Sequence, residues 1–281
     1  MAKRVGVILA GCGYRDGSDV AETMLAFIML DRMGAKAICF APDAEQPEVV
    51  DHLHDAGSAG IVTPTVTSSA PRNARVEAAR LAPGEVLPLS TLDANSLEGL
   101  FIPSGRGVAM LLSNYAEKGV LCVVDPALAR GMKALLGAKK PMGFVGLAAV
   151  LAARVLGPVA GVRLTLGSKA VVAAKHAAIM GADVRPGAID DVIADEKAHV
   201  YSTPGLEAEG ARLAQVAKAI EKLTRALVQS GGRPERAIPP APPRQNPAAP
   251  RPAAPPARRA GEPIVRPAGS GRPSGPDRGS A

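Results

Sequence analysis

A doubly wound α/β fold, a mainly parallel sheet sandwiched between two helical layers, is the architecture this chain predicts. Three observations carry it. Short apolar, β-branched runs alternate with longer stretches of helical spacing through residue 229. The apolar residues are chiefly Ala, Val and Leu, with aromatics at 2% and Trp absent, which suits parallel strands covered on both faces. Glycine-bearing turns join strand ends to helix starts, the junctions where open α/β sheets hold ligands.

Arg4–Ala10 reads as the first buried strand, followed by the loop Gly11–Ser18. Asp19–Met33 has helical spacing at Val20, Met24, Phe27, Ile28 and Leu30, and Gly34 stands just past its end. Ala35–Ala41 is a second strand, stopped by Pro42, and the unit should cross over right-handed. Residues 43–98 are less regular: a short helix at Val49–His52, a strand or extended loop at Gly60–Val66, a charged helix at Pro71–Leu81 and a short strand at Glu85–Leu89. Gly99–Ile102 is a strand ended by Pro103-Ser104-Gly105-Arg106-Gly107, with helix to about Leu112 and another over Pro126–Leu136. Strand 141–145 then meets Gly146 and a helix over 147–156. Val162–Leu166 reads as strand, Ser168–Met180 as helix, Ile193–Asp195 and His199–Ser202 as a hairpin, and Leu206–Val228 as the last helix.

Composition changes at Ser230. Residues 230–281 hold 14 of the 26 prolines, nine arginines and three acids. Such a segment buries too little apolar surface to offset its ordering entropy, so a disordered tail is expected after a single domain over 1–229. The tail carries +6 of the net +7, leaving about +1 for the domain. The basic balance therefore says nothing of a basic site. Arginines spaced by prolines, without aromatics for stacking, argue against nucleic acid as the partner. Gly11-Cys12-Gly13 cuts the first apolar run far short of a signal or membrane segment. Three scattered cysteines, Cys12, Cys39 and Cys122, fit reduced thiols in a cytoplasm.

Few residues present themselves for chemistry. The loop GCGYRDGS lacks the spacing of a dinucleotide fingerprint, and no Walker pattern occurs. Asp19 followed by Glu22 fits a capping box. The alternative is that Glu22 reaches back over the carboxyl edge of the sheet; spacing alone favours the cap. Cys12, at a strand end close to a helix N-terminus, is the thiol worth testing as a nucleophile, although a small loop thiol is more often structural. Cys39 and Cys122 belong to the core. Ser104-Gly105 could offer free amides to an anion, or be an ordinary turn. His52, His54, His176 and His199 lack metal-ligand spacing, so no metal is assigned. The Asp190-Asp191 pair reads as a turn or sheet edge.

Several stretches together resemble a known family: RVGVILAGCGYRDGS (4–18), AICFAPD (37–43), LFIPSGRGVAMLLSNYA (100–116) and KPMGFVGLAAVL (140–151). Over residues 3–228 the chain is similar to ElbB-like proteins, a branch of the class I glutamine amidotransferase-like superfamily that includes PfpI-type proteases. The resemblance implies a flavodoxin-like sandwich, a homodimer, and cofactor-independent, glyoxalase-type hydration of small aldehydes (glyoxal to glycolate). It also implies a link to isoprenoid biosynthesis. By motif, the assisting glutamate is Glu22. The amides for a developing oxyanion come from Ser104-Gly105 and from Leu147 at the elbow, and the elbow residue is Gly146.

Two departures matter. Gly146 stands where the family has its cysteine, and Ser104 replaces the first glycine of the amide loop. Glycine adopts the elbow conformation readily but cannot attack an aldehyde. Two expectations compete: impaired or altered aldehyde chemistry, with Ser113 or Cys12 as substitute nucleophile, or a non-catalytic pocket for a small carbonyl or carboxylate metabolite.

Overall fold

The computed structural model describes residues 2–52 and 70–230. The expected tail, the Gly60–Val66 segment and His54 lie outside the described residues.

The main sheet has seven strands in the order β3-β2-β1-β4-β5-β9-β8. These are β1 (Arg4–Ile8), β2 (Lys36–Ala41), β3 (Val86–Pro88), β4 (Gly99–Ile102), β5 (Met142–Val145), β8 (Ile193–Asp195) and β9 (Val200–Thr203). All neighbours are parallel except β8, which turns back on β9. The period-2 alternation of strands divides the core in two. Val5, Val7 and Phe101 point to the layer formed by α1 (Val20–Arg32) and α8 (Leu213–Gln229). Ile8, Leu100 and Ile102 point to the layer of α5 (Pro126–Gly137), α6 (Ala149–Ala160) and α7 (Val171–Ile179). Helices on both faces are what the aliphatic strands required.

Several boundaries differ from the sequence expectation, each for a local reason. Val49–His52 is not helical; Val50 N–H donates to buried Asp16 (2.9 Å), tying the segment to the first loop. The charged helix shrinks to α2 (Ala74–Ala78) because Asn73, not Pro71, caps it, accepting from Arg75 and Val76 N–H. Gly107–Met110 forms α3, and an unforeseen turn of helix, α4 (Tyr115–Lys118), follows it. Only Arg163–Leu164 of the expected strand pairs, as β6, and it joins β7 (Asp183–Val184) in a separate two-stranded sheet. The expected helix over 206–228 is two elements: a 3-10 turn at Gly205–Glu207, then α8. Gly210, at φ +66°, separates them.

Chain order reverses beside β1, whose neighbours β2 and β4 lie on opposite sides, and in such folds the crevice opens at that point. There the Gly11–Ser18 loop packs backbone to backbone against Pro103–Gly107. Gly107 N–H donates to Gly17 O (3.0 Å), Arg106 N–H to Tyr14 O (2.7 Å) and Asp19 N–H to Ser104 O (2.9 Å). The approach leaves no room for side chains: a Cβ on Gly107 would lie 2.9 Å from Gly17 C, and one on Gly105, itself at φ +116°, 2.3 Å from Gly17 O, while within the first loop a Cβ on Gly17 would lie 2.4 Å from Cys12 N.

Gly17→Ala is expected to lower the melting temperature by roughly 5–10 °C, through a steric cost of about 2–3 kcal/mol. Gly84→Ala, whose Cβ meets nothing within 4 Å, should leave it within about 2 °C of wild type. Thermal denaturation of the two variants side by side checks both.

Candidate functional site

Three loops from three strand ends converge on Glu22. Asp19 caps α1 as its sequence suggests, its Oδ1 accepting from Glu22 N–H (3.0 Å). The reciprocal half of the capping box does not form, because Asp19 N–H already donates to the Ser104 carbonyl. The Glu22 side chain goes inward instead. One oxygen accepts from Ser104 N–H (2.9 Å, after β4) and the other from Leu206 N–H (2.9 Å, after β9). The reading of Glu22 as only a cap is corrected here: the carboxyl is fully buried and links α1 to two strand ends.

Burial pushes the Glu22 carboxyl up to about 8, and Asp19 and Glu207 nearby push the same way, while its two amide donors pull down. Glu22 therefore keeps its proton through most of the neutral range. Gly205 makes the arrangement possible: at φ +59°, a Cβ there would lie 2.3 Å from a Glu22 carboxyl oxygen and 2.4 Å from Val145.

β5 ends at Gly146, which takes φ +49° and opens a 3-10 turn leading into α6. The elbow conformation is thus present, on the one residue that adopts it without strain. The space that an elbow side chain would use is already filled. A Cβ on Gly146 would lie 2.8 Å from Glu207 Cγ, 2.9 Å from Ser104 Oγ and 3.2 Å from Pro204 O. Ser104 Oγ also accepts from Leu147 N–H (3.1 Å). Ser104 and Leu147 are brought together as expected, yet their N–H groups already serve Glu22 and Ser104 Oγ. A ligand oxygen would have to take over the Leu147 amide as Ser104 rotates away. Gly105 lies beside them, its backbone pressed on the first loop.

Glu207 escaped the sequence reading because it was placed inside the last helix. Pro204-Gly205 before it and Gly210 after it are the turn signals that could have marked it. Burial raises its carboxyl, Lys169 lowers it and Asp19 raises it further. Its place is fixed by Lys169 N–H donating to Glu207 O (2.9 Å), and by Gly167 at φ +102°, where a Cβ would meet the Glu207 backbone at 2.8 Å.

The other candidates stand apart. Cys12 is half-buried on the far side of the first loop, under the influence of Arg80, Glu77, Asp16 and Arg72. Burial raises its thiol, so the activation expected from a nearby helix end is not what the structure shows. Ser113 donates to Val108 O (2.8 Å) and accepts from Tyr115 N–H (3.3 Å), a structural role. Cys39 and Cys122 are core residues. His176 pairs with Tyr115 (2.9 Å) and His52 lies 3.7 Å from Asp16. Asp191 accepts from Ala188 N–H (2.9 Å) in a turn.

Known proteins similar to this chain share its fold. The ES1 protein homolog, mitochondrial, of Rattus norvegicus is 33% identical over 214 residues, 73% of this chain and 76% of that one. The chain belongs to the ES1 family. Its human relative, glutamine amidotransferase-like class 1 domain-containing protein 3, mitochondrial, is 37% identical over 166 residues, covering 59% of this chain and 58% of its own length. The crystal structure of an isoprenoid biosynthesis protein with amidotransferase-like domain from Ehrlichia Chaffeensis overlays at TM-score 0.70 and 27% identity, over 81% of this chain and 99% of that one. No family model matches the chain. These relations place this ES1 protein in the glutamine amidotransferase-like class 1 superfamily, and its sheet is the flavodoxin-like sandwich of that group. No helix among its described residues is long and apolar enough to cross a membrane.

Glu22 gives the folded chain a pH signature. Its carboxyl, raised to about 8 in the folded chain from an ordinary 4.5, stays protonated while the unfolded chain loses that proton. Stability therefore falls as pH climbs from about 4.5 to 8, by on the order of a few kcal/mol. Glu22→Gln should flatten that fall, which chemical denaturation at pH 5, 6.5 and 8 would reveal. An unchanged slope would count against a proton held at Glu22.

Proposed function

We propose that the chain binds a small carbonyl or carboxylate metabolite at the Gly146 elbow. This is the glyoxalase-type aldehyde site implied by its resemblance to ElbB-like proteins, here with the thiohemiacetal route closed. The observation that carries the reading is the positive-φ Gly146 with Glu207 and Ser104 Oγ in the space of the missing side chain, Ser104 being bonded through its N–H to the buried, proton-retaining Glu22. Without a thiol the covalent step loses its strongest nucleophile, a loss on the order of 10³-fold or more.

Restoring the sulfur alone should not restore the rate. A Gly146→Cys side chain meets Glu207 and Ser104 within 3 Å and occupies a left-handed backbone that costs a non-glycine residue about 1–2 kcal/mol. Gly146→Cys combined with Ser104→Gly and Glu207→Ala clears that space. This combined variant is expected to convert glyoxal to glycolate at least about 10³-fold faster than wild type, and Glu22→Gln to convert it more slowly. Glyoxal and methylglyoxal assays on all four proteins test the reading. It fails if a folded combined variant gains nothing and glycolate leaves the wild-type melting temperature unmoved.

A second reading is favoured by the internal satisfaction of the Leu147 and Ser104 amides: a non-catalytic metabolite sensor linked to isoprenoid metabolism. Ligand-induced stabilisation without turnover is its signature. We assign the chain to the cytoplasm on its free thiols, in contrast to the relatives named mitochondrial.

The homodimer has a candidate face on α1. Val20, Met24 and Ile28 form one stripe, 44%, 41% and 48% exposed. A groove of about 910 Å³ beside Met24 and Ile28 lies at the amino edge of the sheet, away from the elbow, and carries Asp31 with Arg4 and Lys36. Apolar residues flanked by both charge signs suit a two-fold, self-complementary contact. Ile28→Glu should convert a dimer to monomer in sedimentation velocity. An unchanged sedimentation coefficient would rule out this face.

A further inference from the structure

The two departures from the family pattern occupy one volume. The elbow has lost its side chain at Gly146, and the facing loop has gained one at Ser104. Ser104 Oγ stands 2.9 Å from the point where an elbow Cβ would be. That is the space into which the family's sulfur would project. The hydroxyl is buried, with Ser104 3% exposed. Its oxygen is oriented by the Leu147 N–H (3.1 Å), and its backbone is fixed by the bond from Ser104 N–H to Glu22 (2.9 Å). Glu207 Cγ lies 2.8 Å from the same elbow point, so the Glu207 and Ser104 side chains both reach into the volume an elbow side chain would take.

We propose that Ser104 is the nucleophile of this site: the reactive side chain has moved from the elbow to the opposite loop, and Glu207 is its base. The proposal rests on the aldehyde reading above. A bond forms between Ser104 Oγ and the aldehyde carbon as the carbonyl π bond breaks. The hydroxyl proton passes by way of the Glu207 carboxylate to the carbonyl oxygen, which becomes the hemiacetal hydroxyl. Nothing is oxidised or reduced in this addition. Turnover then follows by a 1,2-hydride shift, which oxidises the hemiacetal carbon to an ester as it reduces the neighbouring aldehyde carbon to an alcohol. Hydrolysis of that ester by water frees Ser104 and glycolate. A serine hydroxyl is a poor nucleophile at its free pKa and depends on a neighbouring base. That dependence gives Glu207 a reason to stand beside it, and it makes a slow but real turnover the expected behaviour of wild type.

Ser113 and Cys12 do not compete for this role. Ser113 is bonded into its own turn, and Cys12 responds to charges away from the elbow.

The test uses the full chain with ¹³C-labelled glyoxal followed by NMR, and glycolate-induced shifts in melting temperature as an independent readout. Ser104→Ala and Glu207→Gln are each expected to lower kcat by on the order of 10²-fold or more. The glycolate-induced shift should persist in Ser104→Ala. A wild-type hemiacetal carbon signal that vanishes in Ser104→Ala would support the bond directly. Equal kcat in folded Ser104→Ala and wild type overturns the proposal, leaving Ser104 as a filler of space. Wild-type silence in turnover, with a glycolate shift present, overturns it too and leaves the binding reading standing. Silence in both readouts removes the aldehyde reading beneath it.

Discussion

The Glu22 carboxyl, fully buried and shared between the Ser104 and Leu206 amides, is the interaction on which the carboxyl edge of the sheet depends. It joins the first helix to the ends of β4 and β9, three parts of the chain far apart in sequence. A lone buried carboxylate is costly, and this one reduces its cost by retaining a proton and accepting two backbone hydrogen bonds. The surrounding glycines follow from it. Gly205 leaves space for the carboxyl oxygen, and Gly105 and Gly107 let the two flanking loops touch through their backbones.

The elbow is therefore built before any ligand arrives, and in this chain it is built around a missing side chain. Gly146 keeps the left-handed turn, while Ser104 and Glu207 close the space above it. Sulfur at residue 146 and a side chain at residue 104 are alternatives sterically. The elbow's chemistry is therefore a property of the whole pocket. Glu207 adds a second partly buried acid whose proton affinity is raised by burial. Carboxyls whose proton affinity is raised by burial are common at acid–base sites.

Much of the frame was legible in the chain. The aliphatic runs marked the strands of the main sheet, and Asp19 before Val20 opened a helix where a cap was expected. Boundaries went astray where long-range bonds outranked local pattern. Val50 N–H was taken by Asp16, and the segment around it did not coil into a helix. Glu207 was hidden because the apolar spacing of α8 seemed to continue back through Gly210 to Leu206. For Glu22 the local motif was half right: Asp19 capped, but its own amide was taken by Ser104, so the glutamate was free to turn inward.

By itself the sequence determined the fold class, the identity of the elbow position and the absence of a thiol there, since each is a matter of periodicity or of which residue stands in a motif. Only the tertiary structure decided where Glu22 points, what occupies the space beside Gly146, and that burial raises the Cys12 thiol. Those are contacts between residues 40 to 180 positions apart. Their outcome depends on backbone amides, burial and steric room that no local pattern of side chains records.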